Sequence, residues 1–349
     1  MARPVAHLPL EIVLNVIDSL VDFGNEQVLA LKPDHWRAVQ LRQWLLVSKA
    51  TSEAAARHLY RHCMYIDSHR RLMFLVRTLS PPKRVNNGDE LEQQIVQSKH
   101  LPYITNLYLA PFRQHLDDLP AAIWIFELLS MVGPRLKRFN FDFPFNSLSG
   151  YRDHLGVYRW IRNGLERLTK LEELVYLSSD ANLVHQWPLA DQYHGLWWHG
   201  FRDLKRLVLP YRNLPDFLTP FLKSNEENQA TLRPALTHLV IHLRDLPLSP
   251  FALELDKLAG ENISEPLKVI HVHQPFLPPY ESIITEQISI ADESVAELHS
   301  MVVHGPDASV RPDPHFNLAN IFIKREALSG NLWTLPTIKR DPQSRGEHH

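Results

Sequence analysis

His242, His273 and His304 stand 31 residues apart in a chain of 349. Each closes a similar short apolar run. If these runs are neighbouring strands about 4.8 Å apart, the imidazoles line up in a row, with His238 and His271 beside it. Three readings are open: a partner-binding patch that gains charge below about pH 6.5, a site for zinc, nickel or copper, or a solvated, neutral row. A flat row lacks the converging geometry and supporting hydrogen bonds of a metal site, so no metal is expected. His58 and His62 share a helix face next to Cys63. Zinc could use that spacing, but Cys63 is the single cysteine and no third ligand follows, so a structural role is expected. Cys63 itself reads as a small buried hydrophobe.

Other chemistry is missing from the sequence. There is no glycine-rich phosphate loop, no G-x-S-x-G elbow and no H-E-x-x-H pair. No two carboxylates suggest themselves as acid and base. The aromatic stretch with Trp187, Tyr193, Trp197, Trp198 and Phe201 reads as a loop packing onto a sheet rather than as a ligand pocket. No catalytic residue and no cofactor is expected.

The elements that position these residues repeat. An apolar-x-x-apolar-x-apolar pattern occurs at Ile104-Leu107-Leu109, Leu136-Phe139-Phe141, Leu171-Leu174-Tyr176, Leu204-Leu207-Leu209, Leu236-Leu239-Ile241, Leu267-Ile270-Val272 and Leu298-Met301-Val303, at steps of 31 to 35 residues. A period that steady implies stacked copies of one unit, none able to bury its apolar face alone. Each run has the length of a strand. Between them lie helical candidates: Leu119–Met131, Arg152–Leu168, Leu214–Ser224 and Phe251–Leu258. Crossovers of that length give parallel strands. The expected fold is α/β: an irregular solenoid, with a curved parallel sheet inside and helices on the outer face. Leu318, Ile321 and Ile323 read as part of an eighth strand, Asn320 to Glu326, closing the open edge.

Composition agrees with a folded binding protein. Apolar residues at 44% and charged residues at 22% argue against wholesale disorder. A net charge of −2 leaves no basic footprint for nucleic acid or anionic membrane. Glu11, Asp18 and Asp22 interrupt the N-terminal apolar stretch and argue against a signal peptide. The apolar run from Leu119 to Pro134 is shorter than the about 20 residues a membrane span needs. A lone cysteine fits a reducing cytoplasmic or nuclear setting. Four segments follow: a helical head over 1–67, a linker over 68–100, the repeats over 101–330 and a polar, disordered tail over 331–349.

The head carries recognisable signatures. Leu8-Pro9-Leu10-Glu11-Ile12 is followed by Val16-Ile17 and Leu20; Leu45-Leu46-Val47-Ser48-Lys49 comes later; Ala56 to His62 leads into Met64-Tyr65-Ile66. Together these resemble an F-box, and with the repeats the chain resembles fungal-type F-box proteins with degenerate leucine-rich repeats. The interval from Leu20 to Leu41 is longer than a compact F-box needs. The usual Asn or Cys ladder is also missing, since the ninth repeat positions are Phe112, Pro144, Ser179, Arg212, Arg244, Pro275 and Pro306. The resemblance implies a substrate-recognition adaptor of a cullin–RING ubiquitin ligase. Leu8, Pro9, Ile12, Ile17, Leu46 and Val47 would dock a Skp-type linker subunit, Glu11 would add a polar contact, and the cullin would be reached through that subunit. The repeat domain would hold the target protein. A scaffold unconnected with ubiquitination is the alternative.

Side-chain alternation predicts what the inner wall carries. With Leu207 and Leu209 in the core, Arg206, Val208 and Pro210 face the other way, and likewise in every repeat. Val175, Val208 and Val240 then form an apolar column, with His271 in the same column and His242, His273 and His304 in the next. Parallel sheets are normally covered on both faces, so either a partner or the C-terminal segment lies over the valines. The partner is favoured, which makes Val175, Val208, Val240, His242, His271, His273 and His304 the expected target-binding residues.

Overall fold

The computed structural model describes residues 8–23, 28–80, 98–112, 116–144, 153, 155–177, 201, 203–210, 236–243, 267–273, 296–302, 318–334 and 338–339. Within them the protein is a mixed α/β structure built on a parallel sheet. The strands are β1 (Tyr65–Ile66), β2 (Asn106–Leu109), β3 (Arg138–Phe141), β4 (Glu173–Tyr176), β5 (Arg206–Pro210), β6 (His238–Leu243), β7 (Leu267–His273), β8 (Ala296–Val302) and β9 (Ile338–Lys339). They pair in sequence order from β1 to β9. Every pair is parallel except β8 with β9. The helical elements expected at Leu214–Ser224 and Phe251–Leu258 lie outside the described residues.

One face of the sheet is packed by α4 (His69–Leu79), α5 (Leu119–Val132) and α6 (Val157–Leu165). Leu72, Leu75, Val76 and Leu79 fall on one side of α4 and are buried, as a 3.6-residue period requires. The Asp118 carboxylate accepts from the Ala121 N–H at 3.0 Å and starts α5. Asp153 does the same for α6, accepting from the Val157 and Tyr158 N–H groups at 2.7 and 3.1 Å. These contacts satisfy donors that a first helical turn leaves free. Gly164 lets α6 approach α5 closely: a Cβ there would sit 3.1 Å from Leu129 Cδ1 and 3.3 Å from Phe126 Cα. Leu107, Phe139, Leu174, Leu207 and Leu239, one from each of five adjacent strands, are fully or almost fully buried on this face.

The register carries the expected columns from β2 to β6. Asn106, Arg138, Glu173, Arg206 and His238 stand side by side, as do Tyr108, Asn140, Val175, Val208 and Val240. Between β6 and β7 the pairing is one residue out of step with the triplets, so His238 meets Lys268 and Val240 meets Ile270. The slip continues the apolar column with Ile270, which is buried. A one-residue change exchanges the two faces of a strand, and both alternating sets of β7 contain apolar residues.

Two expectations for the C-terminal part are corrected. Residues Leu318–Ser329 form a helix, α7, rather than a strand over Asn320–Glu326. The tail is ordered in part: Asn331–Thr334 make a 3-10 turn with Leu332 and Trp333 buried, and Ile338–Lys339 pair with β8. Gly330, at φ +85°, ends α7 in the left-handed region, where glycine carries no Cβ penalty.

The column at the start of the strands holds a buried charge cluster. Arg138 Nε and Nη2 donate to Glu173 Oε2 and Oε1 at 3.1 and 3.3 Å, and Arg206 Nη1 lies 3.4 Å from Oε2. Glu173 is only 1% exposed. Removing one partner of such a pair leaves a desolvated charge without compensation. We expect Glu173→Ala to lower unfolding free energy by about 3–5 kcal/mol in urea titrations; a loss below about 1 kcal/mol would mean that the arginines reach water. In the neighbouring column Asn140 is fully buried, and neither amide atom has a protein partner. Asn140→Val should therefore raise stability by about 1 kcal/mol, read as a higher melting temperature.

Candidate docking surface

The N-terminal head consists of α1 (Leu10–Ser19), α2 (Trp36–Trp44) and α3 (Lys49–His62). Ser48 begins α3 with a reciprocal cap: its hydroxyl accepts from the Thr51 N–H at 3.2 Å and its own N–H donates to Thr51 Oγ1 at 3.0 Å. The core of the trio is Ile17, Val21, Leu41 and Ala55, flanked by Val13, Leu14, Leu20, Trp44, Leu45 and Leu59. Ile17 is fully buried here, so it is corrected from a docking residue to a core residue. Alternation along α1 explains this: 13, 17 and 20–21 face inward, and 8, 12 and 16 face out.

The outward positions are apolar. Leu8 is 62% exposed, and Leu10, Ile12 and Val16 are also exposed on and just before α1. Leu46 at 88% and Val47 at 62% project from the turn between α2 and α3. Pro9 and Glu11 are exposed beside them. Thus six of the seven residues expected to dock a linker subunit are accessible on the head. Large apolar side chains at such exposure are normally placed inside, and when clustered they mark interaction surfaces.

Polar contacts hold this surface in place. Asp18 on α1 lies 3.1 Å from Arg57 Nη2 and 2.6 Å from His58 Nε2, both on α3. The hydrogen bond from His58 holds the Asp18 carboxyl below its usual range. Burial pulls His58 below its usual value, outweighing the opposing pull of Asp18. The segment before α2 ties the head to the sheet. Leu31 N–H donates to His62 O at 2.7 Å, Leu29 N–H to Leu328 O on α7 at 3.0 Å, and Arg138 Nη1 donates to Val28 O at 3.3 Å. The long interval between Leu20 and Leu41 therefore supplies a strap, in which Leu29 and Ala30 pack beside Tyr65, Tyr108 and Leu328.

The expected target-binding wall is corrected. Val175, Val208 and Val240 are buried at 0%, 1% and 0% exposure. Ile323 and Ala327 of α7 cover them, with Leu332 and Trp333 of the 3-10 turn. The option that the C-terminal segment lies over the valines is the one realised. The histidines do not form the expected row either: His242 stands opposite Val272, His273 opposite Leu243 and Val302, and His271 opposite Ile241 and Ser300. His304 lies outside the described residues, as does the aromatic stretch from Trp187 to His199. The sequence offered a signal for the covering helix in the i, i+4 pair Ile323 and Ala327, but the cluster Ile321-Phe322-Ile323 masked it with strand propensity.

Among the described residues, no three His, Cys, Asp or Glu side chains are gathered to hold a metal ion, and no helix is long and apolar enough to cross a membrane. Burial pushes the Cys63 thiol up to about 12, which keeps it protonated and unreactive at neutral pH. The class of structure is thus a mixed α/β protein with sequentially ordered parallel strands and a helical head. No protein-family model matches the sequence, and neither a curated protein nor a solved structure matches it.

The head also sets a pH response. Burial pushes His62 down to about 4, reinforced by Arg61 and His58. An unfolded histidine titrates near 6.5. Between those values the unfolded chain binds more protons, so stability falls as pH drops through this window. We expect a loss on the order of 2 kcal/mol between pH 7 and about pH 4.5, followed by the melting temperature. His62→Gln should flatten that slope; an unchanged slope would assign the acid sensitivity elsewhere.

Proposed function

We propose that the protein is a non-catalytic adaptor. Its helical head docks a Skp-type linker subunit of a cullin–RING ubiquitin ligase, and its repeat-built body holds the protein to be modified. The observation that carries this reading is the exposure of Leu8, Leu10, Ile12, Val16, Leu46 and Val47 on a three-helix head whose own core is closed by Ile17, Val21, Leu41 and Ala55; Trp36 on α2 is exposed as well. A free small head gains nothing from presenting so much apolar surface, whereas a partner's apolar face would remove it from water. The sequence signatures of an F-box fall on those same positions. Support for a leucine-rich-repeat-like solenoid comes from the strand order and from the 31 to 35 residue step between the apolar triplets.

In this role the chain raises the effective concentration of a target beside a ligase rather than reacting with it. The cytoplasm and nucleus, where such ligases work, are its proposed compartments. A scaffold without a ligase is the second reading. It is favoured by one observation, the cover over Val175, Val208 and Val240, which leaves the target-holding half without its expected wall.

Co-expression with a Skp-type subunit separates the two. The adaptor reading expects a stable complex with the wild-type chain and its loss in Leu46→Asp/Val47→Asp, with the melting temperature kept because both side chains are exposed. A wild-type chain that never co-purifies with the subunit contradicts the reading.

A further inference from the structure

Asn140 is 0% exposed, and neither its Oδ1 nor its Nδ2 has a hydrogen-bond partner in the protein. It stands in register between Tyr108 on β2 and Val175 on β4. α7 spans both neighbours: Leu328 packs with Tyr108, and Ile323 and Ala327 pack with Val175. The amide is therefore enclosed between sheet and helix, with an acceptor and two donors unused. The large majority of buried side-chain polar atoms find a partner, in protein or in ordered water.

A contact nearby has the same character. Asp142 follows Asn140 by two residues and continues the same face of its strand. Lys324 Nζ reaches over the Tyr108 ring at 4.7 Å and lies 4.0 Å from Asp142 Oδ2. That separation is beyond a direct hydrogen bond, and a bridging water spans such a gap. The Asp142 and Lys324 side chains are 38% and 31% exposed, so this pair marks the way from solvent to the amide.

We propose that Asn140 holds an internal water beneath α7, joined to solvent by a second water between Lys324 and Asp142. Three conditions select the ligand. It must both donate and accept, because the amide offers both functions. It must be neutral, because Asp142 and Lys324 already balance each other. It must be small, because α7 stays seated and closes the core. Water meets all three. An internal water needs several polar partners, and the amide with the Lys324–Asp142 pair supplies them. The site stands on these contacts alone and is independent of the adaptor reading.

A crystal structure of the full chain that resolves internal waters tests this. The expected result is a density peak about 2.7–3.2 Å from Asn140 Oδ1 or Nδ2 and another between Lys324 Nζ and Asp142. In Asn140→Val the first peak should vanish while α7 keeps its place. That variant loses the amide and its water together and strands no polar group, in keeping with the stability gain expected for it. An amide bonded directly to protein, or enclosed with no peak beside it, overturns the site. So does a first peak that survives in Asn140→Val, since other groups would then hold it. In solution, the Asn140 Nδ2 protons should show cross-relaxation with a long-lived water in nuclear magnetic resonance spectra, and its absence contradicts the proposal.

Discussion

A parallel sheet has two faces that must leave water, and this chain has to supply both covers from its own length. The crossover helices α4, α5 and α6 cover one face because they are what makes the strands parallel. The other face cannot be served by crossovers. It is served by the two regions flanking the repeats: the strap before α2 covers the Tyr65–Tyr108 end, and α7 with its 3-10 turn covers the Val175–Ile270 stretch. Head, sheet and C-terminal segment therefore share contacts. The clearest link is the bond from Leu29 to Leu328, which joins residues 299 positions apart in sequence.

This arrangement separates two kinds of apolar surface. Under α7 the apolar column is satisfied internally. On the head, Leu46 and Val47 project from a tight turn whose backbone is fixed by the Ser48–Thr51 cap. Rigid presentation lowers the ordering cost of binding, so a well-capped turn is a sound place for an interaction residue. Asp18, bridging to Arg57 and His58, fixes the same surface from the α1 side.

Much of the fold could be read from residue types. The triplets set the strands and their register from β2 to β6, where the triplet side chains from Leu107 to Ile241 all pack in the core under the crossover helices. The reading failed at β7, which is one residue out of step. In β7, Leu267, Val269 and the Ile270/Val272 pair allow either face inward, and burial of Ile270 beside Val240 decided the matter. It failed again at α7, where β-branched residues suggested a strand. Tertiary demand for a cover over the valines, together with the helix formers Lys324, Arg325, Glu326, Ala327 and Leu328, outweighed that local preference. Of the candidate site, the head residues were legible because 8, 12 and 16 repeat at helical spacing. Ile17 was misplaced because the F-box-like motif names it without saying which face of α1 it occupies.

The central claim is that the valine wall is closed by the chain itself while the head's apolar residues are open. Thiol labelling at single introduced cysteines measures this directly. In Leu46→Cys and Val208→Cys variants, read by mass spectrometry against the half-buried Cys63, the account predicts that position 46 reacts as a free thiol and position 208 only through rare openings. Equal, rapid labelling at both positions, or protection at 46 with reaction at 208, would contradict it.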